Sequence, residues 1–387
     1  MALLKKIRVG LLASEWRSKS DELSTFTREL AIRLAKLRDV QVSVLLPQCD
    51  WNEKHAALTN NVTLVQATRR PGFDDLCCPP KDLQVDFVIG HGVELGHQAR
   101  GIQELHGCKW VQVVHTAPEE LGMLKDCSGA ISKEEKNRQH EVDLCVSADF
   151  VVAVGSEVAE AYQSYLRLRK KDQKVFALTP GIFSDFSGIP QSNPDGSKWR
   201  VLLFGHGDAE DFSLKGLDIA AKAVAKSNDA DLVFVGAKKQ DEIAGRLKEY
   251  KILPSRLIVR SFTEARERLE EQFSEVDLAI MPSRPEGFGL IALEALSAGL
   301  PVLVSGNSGF GRAMREVAFG SQYVIDSEDA EVWAAEIKKV RTKRREIRQQ
   351  ELKAVRYSYA TEYNWEEQCR DLVKKMRCIL NGMSCLG

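Results

Sequence analysis

The residue types best suited to chemistry concentrate between Met281 and Ser305, in the run MPSRPEGFGLIALEALSAGLPVLVS. A strand is expected to end at Met281. A Pro/Gly-rich turn follows, then a helix from about Phe288 to Ala298, which Gly299 stops before Pro301 enters the next strand. The N–H groups of Gly287, Phe288 and Gly289 fall at the helix start. Unpaired donors and the helix dipole favour anionic or hydroxyl-rich ligands there. Glu286 stands at the entry and Glu294 inside the helix, a spacing of roughly 12 Å at helical rise. That is too far for two carboxylates sharing one glycosidic bond, which need about 5–9.5 Å. It suits contact with two ends of one extended ligand. The same positions also suit an ordinary amphipathic helix with one N-terminal and one surface Glu.

Other candidates are scattered along the chain. KWVQVVHTAPEE places His115 at the carboxyl end of a strand, and FGHGDAEDFSLKG holds Gly205, His206, Lys215 and Gly216 just after another. The first strand–helix connection, SEWRSKSDEL, offers Ser14, Trp16, Lys19 and Ser20 beside Asp21 and Glu22. The run Gly90 to Gly96 has the spacing of a GxGxxxG dinucleotide loop. The next strand does not end in the Asp or Glu that would hold an NAD ribose, so an oxidoreductase is not expected. His91 and Gly92 are instead expected to line a cleft. Asp229–Ala230–Asp231 has the D-x-D form of a metal site, but it enters a strand at the wrong end of a sheet and reads as a turn. Asn61–Val62–Thr63 is a glycosylation sequon, which carries no meaning without a secretory signal.

These residues must be positioned by α/β units. Short β-branched runs alternate with helical patterns throughout, which argues for parallel sheets. Strands are expected at Ile7–Leu12, Val40–Leu46, Val62–Val65, Val85–Ile89, Trp110–Val114, Phe150–Val154 and Val175–Leu178. After a Gly/Pro-rich break the pattern restarts at WRVLLFG, with strands at Val201–Phe204, Leu232–Val235, Leu257–Val259, Leu278–Met281, Val302–Val304 and Tyr323–Ile325. The expected division is residues 1–185, a linker at 186–198, a second domain at 199–355, and a helical tail at 356–387 packing back on the first. Ligands of such sheets lie outside the carboxyl ends of the strands, so two facing sheets would make an interdomain cleft.

The composition supports a large globular protein. The 387 residues are 44% hydrophobic and can bury full cores. Lys+Arg total 54 against Asp+Glu 55, which excludes a generally basic nucleic-acid binder. No apolar run is long enough to span a membrane, and MALLKKIRVGLLAS is a poor signal peptide. A cytoplasmic location is expected. The 9 cysteines, Cys77–Cys78 among them, are expected to be reduced thiols. Lys338, Lys339, Arg341, Lys343, Arg344, Arg345 and Arg348 read as one dense basic helix. A solvated face explains such a run, and peripheral contact with anionic lipid or nucleic acid is the alternative.

Met281 to Ser305 resembles the E-x7-E signature of the family 4 (group 1) glycosyltransferases, which have the GT-B fold of two Rossmann-like domains. The pattern PSxxEGFGLxxLEAxxxGxPV is nearly complete, and the similarity extends more loosely over the N-terminal half. The resemblance implies retaining transfer of a hexose from a nucleotide diphosphate sugar to an acceptor hydroxyl. UDP is the commonest nucleotide in the family, and the acceptor is undefined. No cofactor and no metal are implied, because side chains and N–H groups would stabilise the departing diphosphate. Glu286 would approach the donor sugar, the backbone of Gly287, Phe288, Gly289 and Leu290 would hold sugar and phosphate, and Glu294 would bind the ribose. Lys215–Gly216 match the family's Lys-Gly, and His115 would lie near sugar and acceptor. Gly205–His206 stand where the family has Gly-Arg, and Asp21–Glu22 where it has a Gly-Gly pair. A neutral His lacks the bidentate fork of Arg, and two carboxylates would repel a diphosphate unless they point away. The alternative is therefore a GT-B module that binds a nucleotide sugar or a protein partner without transfer. Such domains also occur as modules of larger multidomain proteins.

Overall fold

The computed structural model describes residues 6–17, 22–68, 76, 79–117, 139–167, 169–170, 174–186, 188–189, 199–205, 209–227, 229–237, 240–261 and 266–383. His206, Lys19, Ser20, Asp21 and Cys77–Cys78 lie outside them. The chain forms two compact units, Met1–Pro180 with Trp365–Gly387, and Gly181–Asn364.

The first unit is built on β1 (Ile7–Leu12), β2 (Val40–Leu46), β3 (Val62–Gln66), β4 (Phe87–His91), β5 (Lys109–Val114), β6 (Phe150–Val154) and β7 (Phe176–Leu178). They form one parallel sheet in the order β3-β2-β1-β4-β5-β6-β7. Both faces are covered by helices, so the central strands are near-continuous apolar runs. Arg8 fixes the pairing of β1 with β4. Its backbone N–H and its guanidinium both donate to the carboxylate of Asp86, at 2.6–3.1 Å. The helices are α1 (Glu22–Ala35), α2 (Trp51–Leu58), α3 (Gly92–His106), α4 (residues 139–147) and α5 (Ser156–Arg167).

The second unit has β8 (Trp199–Phe204), β9 (Ala230–Ala237), β10 (Leu257–Ser261), β11 (Leu278–Met281), β12 (Val302–Ser305) and β13 (Val324–Ile325). These also form a parallel sheet, ordered β10-β9-β8-β11-β12-β13. Its helices are α6 (Ala209–Leu214), α7 (Leu217–Lys226), α8 (Gln240–Lys248), α9 (Arg266–Ser274), α10 (Leu290–Ser297), α11 (Gly309–Glu316), α12 (Ala330–Thr342) and α13 (Arg345–Glu362). One core gathers Leu203, Phe234, Ile280, Leu303 and Trp333 between sheet and helices.

In each sheet the chain runs outward from the first strand, then returns to its other side. The order therefore reverses between β1 and β4 and between β8 and β11. Such switch points open a crevice at the carboxyl strand ends, where ligands bind in this class of sheet.

The chain passes between the units at Pro180–Gly181 and at Asn364–Trp365, not at 185 and 356. Side-chain packing explains both. Phe183 and Phe186 are fully buried in the second unit, with the Phe186 ring 5.7 Å from that of Phe273. Arg356 donates to the Ser297 carbonyl at 2.6 Å, and Tyr359 is buried against Phe310. Both residues therefore belong with the second unit. Only α14 (Trp365–Leu380) returns to the first, where Arg377 bonds Asp39 at 2.6 Å and Gln368 bridges the N–H and carbonyl of Thr179.

Two further expectations change. The basic run is not one helix: α12 ends at Thr342 and α13 starts at Arg345. Several of its charges are partnered, with Arg341 on Asp229, Lys343 on Glu351, and Arg348 over the Trp199 ring. Cys378 is disulfide-bonded, against the expectation that every thiol is reduced. Cys49, Cys108, Cys145 and Cys369 are free thiols. Among the described residues no helix is long and apolar enough to cross a membrane.

Candidate functional site

At the switch point of the second sheet, β8 ends in Phe204 and Gly205, whose N–H bonds the Val235 carbonyl at 3.2 Å. Lys215 and Gly216 precede α7. Gly216 has φ of +63°, and a Cβ there would sit 2.1 Å from the Pro282 carbonyl oxygen. Only glycine allows this approach. It seats the start of α7 directly on the loop that leaves β11. Arg284 locks the same junction. Its guanidinium bonds Asp218 at 3.0 and 3.1 Å and Glu328 at 2.9 Å, while its own N–H bonds the Leu214 carbonyl at 2.8 Å. Burial works against the charge of Asp218, but Arg284 and Lys222 outweigh it and hold the carboxyl below its usual range.

The consequence is a charged cluster. Lys215 Nζ lies 2.6 and 2.7 Å from the two carboxylate oxygens of Glu286, and Ser283 Oγ donates to Oε2 at 2.8 Å. Glu286 is buried, whereas the Lys215 side chain is 31% exposed. A lysine so placed can exchange its carboxylate for another anion, with Ser283 still satisfying Glu286. Sequence reasoning missed Ser283, Arg284 and Asp218. The S-x-x-E spacing of Ser283 and Glu286 was a signal for the first.

The helix after this loop starts later than expected. It is α10, from Leu290 to Ser297, with Gly289 at φ +86° as an N-cap that has no side-chain capping bond. Residues 287–289 instead form a bent, non-helical entry tied to α11. Gly309 and Phe310 donate their N–H groups to the carbonyls of Gly287 and Phe288, at 2.8 and 2.7 Å. These bonds compete with an earlier helix start. Phe288 and Leu290 are buried, the former with its ring 6.2 Å from Phe310. Glu294 is only 3% exposed, so it is not a surface glutamate of an amphipathic helix. Because half of the intervening stretch is not helical, helical rise does not set the Glu286–Glu294 separation.

At the switch point of the first sheet the groups are neutral. His91 is the last residue of β4, two residues beyond the expected strand end, and His115 follows β5. His91 Nδ1 lies 3.0 Å from His115 Nε2, and His91 Nε2 lies 3.1 Å from Thr27 Oγ1. The edge of Phe26 meets both imidazoles. Burial pulls the His91 pKa down to about 3. It pulls His115 well below its usual value too, with the neighbouring His91 adding to the effect. Both rings are therefore uncharged at neutral pH. Gly92, φ +58°, begins α3, and Gln112 Nε2 donates to its carbonyl at 2.6 Å. The GxGxxxG spacing has a packing origin. A Cβ at Gly90 would lie 2.5 Å from the Leu95 carbonyl oxygen, so glycine lets α3 lie against β4.

Close to Gly92 is Glu141, on α4. Burial raises its carboxyl to about 7, although the hydrogen bond from the Tyr162 hydroxyl works against the shift. Sequence reasoning singled out neither Glu141 nor Thr27. Ser14 is exposed and pairs with Ser24 Oγ at 3.0 Å. Trp16 is buried under the guanidinium of Arg28, which lies 5.7 Å from the ring centroid. Glu22 is the first residue of α1. Among the described residues no cluster of His, Cys, Asp and Glu could hold a metal ion. Asp229 and Asp231 do not act together, since Asp229 pairs with Arg341 and Asp231 lies within β9.

Two Rossmann-like parallel sheets, each with polar side chains gathered at its switch point, define the GT-B glycosyltransferase class. Sucrose-phosphate synthase from Thermosynechococcus elongatus has the same fold, with a TM-score of 0.73 at 18% identity over 97% of this chain and 100% of that one. Alr3699/HepE of Anabaena, solved in complex with UDP-glucose, has a TM-score of 0.66 at 14% identity over 95% and 100%. Residues 11–372 match the family described as "Family 4 Glycosyltransferase in conflict systems". D-inositol 3-phosphate glycosyltransferase of Corynebacterium urealyticum is 30% identical over 77% of this chain and 72% of its own length. The enzyme of the same name from Mycobacterium marinum is 30% identical over 32% of this chain, a match that spans 27% of that relative. The chain belongs to the family 4 glycosyltransferases.

Proposed function

We propose that this protein is a retaining, metal-independent glycosyltransferase that moves a hexose from a UDP-sugar to an acceptor hydroxyl. The observation that carries this is the Lys215–Glu286–Ser283 cluster, seated by Gly216 at the carboxyl ends of β8 and β11. A departing diphosphate needs a cation that is already in place. Lys215 is such a cation, and it is held until the donor arrives by an interaction the donor can replace. In this reading Glu286, freed from Lys215, orients the transferring sugar, Glu294 takes the ribose, and His115 keeps the sugar-hydroxyl role that the family resemblance implies. Gly205 stands beside the diphosphate, and the entry at Gly287–Leu290 holds sugar and phosphate through its backbone. The co-crystallised UDP-glucose of the Anabaena relative supports the choice of nucleotide.

The test needs no knowledge of the acceptor. Calorimetric titration with UDP, GDP and ADP is expected to give binding with UDP, weakened ~10–100-fold by Lys215→Ala, as expected for loss of a charge-assisted contact. Release of UDP from UDP-hexoses in the presence of water alone would report turnover. Failure of all three nucleotides to bind would overturn the proposal. Binding of UDP with no release from any UDP-hexose and no transfer would favour the non-transferring module.

A further inference from the structure

The hydrogen bonds around His91 have a direction that can be read without seeing a proton. Thr27 Oγ1 lies 2.7 Å from the Leu23 carbonyl oxygen, which can only accept. The single hydroxyl proton of Thr27 is thereby used, so towards His91 the hydroxyl oxygen must accept. His91 Nε2, at 3.1 Å, therefore carries the proton. The ring is neutral and fully buried, so its Nδ1 is bare and accepts in turn. The partner at 3.0 Å is His115 Nε2, which must then be the protonated nitrogen of its own ring. The chain of donors runs from His115 to His91 to Thr27 to the backbone of α1. It leaves Nδ1 of His115 as a lone pair. No described residue takes up that nitrogen, and residue 115 keeps partial exposure where His91 has almost none.

We propose that Thr27, acting through His91, is a positioning residue that locks His115 in the Nε2–H tautomer, so that His115 offers Nδ1 as an acceptor to a hydroxyl of the bound sugar. This deepens the glycosyltransferase reading and rests on it for the identity of the ligand. The tautomer itself does not depend on that reading. Phe26, packed edge-on against both rings at centroid distances of 6.0 and 5.2 Å, limits their rotation. An imidazole whose polar neighbours among the described residues dictate its proton position is pre-set before substrate arrives, so no reorganisation is needed on binding. His115 would thus act by accepting a hydrogen bond. It would be neither a cation for the diphosphate nor a general acid.

The experiment is long-range nitrogen–proton NMR on the full chain labelled at histidine, with His115→Gln and His91→Gln to assign signals. The expected wild-type spectrum shows protonated Nε2 and bare Nδ1 in both rings. Protonated Nδ1 in His115 would overturn the proposal, whatever the enzyme does. Thr27→Val keeps the shape and removes the acceptor, so His91 is expected to lose its Nε2–H preference and His115 to become a mixture of tautomers. Thr27→Ser restores the hydroxyl and is expected to restore both spectra. In UDP-hexose turnover, Thr27→Val is expected to lower kcat/KM by about tenfold, the scale of one hydrogen bond made to substrate. UDP affinity should stay within about twofold of wild type and Thr27→Ser should be near wild type. An equal loss in Thr27→Ser and Thr27→Val would mark Thr27 as merely structural and overturn the role. The expected spectra with no turnover by wild type would leave the tautomer lock standing and sink the transferase reading instead.

Discussion

The two sheets place opposite kinds of chemistry at equivalent points. At the β8/β11 reversal stands a charged cluster, Lys215 on Glu286, held together by a glycine contact and by Arg284. At the β1/β4 reversal stands an uncharged one, His115 on His91 on Thr27, buried and fixed by directional hydrogen bonds. On the proposed reading, the same topology supplies a site for countering charge and a site for orienting neutral hydroxyls. The difference begins with residue type and is reinforced by surroundings. Lys215 keeps nearly a third of its side chain in water beside a carboxylate, whereas burial disfavours the protonated form of both imidazoles.

The contrast can be broken most severely at Gly216. Gly216→Ala forces a Cβ against the Pro282 carbonyl, and its φ of +63° is itself strained for alanine. It is expected to cost roughly 3 kcal/mol of stability and to abolish UDP-hexose turnover, because Lys215 moves with it. Thermal melts and UDP release would check both; a variant as stable and active as wild type would refute the seating role. Lys215→Ala separates the two effects. It is expected to lower turnover by ~100-fold or more. The stability loss should be only ~1 kcal/mol, since Ser283 still serves Glu286 and water replaces an already partly exposed lysine.

A pH titration of stability sharpens the comparison from the other side. His91 has a folded pKa of about 3 against an ordinary 6.5, so the unfolded chain holds more protons between these values. Its contribution is complete above pH 6.5 and is lost as pH falls towards 3. His115, also depressed, acts in the same direction. Glu141 acts oppositely. Its carboxyl is raised from 4.5 to about 7, so its contribution is complete below pH 4.5 and lost as pH rises through 7. Glu141→Gln is therefore expected to steepen the rise of stability with pH between 4.5 and 6.5 and to remove the decline up to 7. Urea titrations across that range would show it, and an unchanged profile would mean that Glu141 is not buried as described. The smallest expected effect is that of His206→Arg. A bidentate guanidinium in place of an imidazole should tighten UDP binding by about tenfold at low salt and less at high salt. Calorimetry in both buffers measures it, and weaker binding would show that the position does not face the diphosphate.

The charged site was legible as two local segments with recognisable turn chemistry, although its ion pair joins residues 71 positions apart. Met281, Glu286 and Gly289 all sit in one strand–turn–helix segment, and Lys215–Gly216 marks one helix start. The strands were legible for a related reason. Buried parallel strands are apolar on both faces, so β1, β2, β6 and β11 stand out at their expected limits. The start of α10 was misjudged because backbone bonds from Gly309 and Phe310, some twenty residues on, hold 287–288 out of the helix. The neutral site was only half legible. His91 and His115 were found as strand-end residues, but Thr27 lies inside an apolar helix pattern and looks like any other interior threonine.

Local patterning, then, was sufficient for the α/β class, the two parallel sheets and the segment that carries the family signature, because period and turn residues act over a few positions. Long-range pairing decided the rest. The order of strands brings β4 beside β1 and β5, and α1 onto their ends, so that Thr27, His91 and His115 meet across 88 positions of chain. Where a proton sits in that chain depends on what lies within 3 Å of each nitrogen, and distance in space is not encoded by distance in sequence.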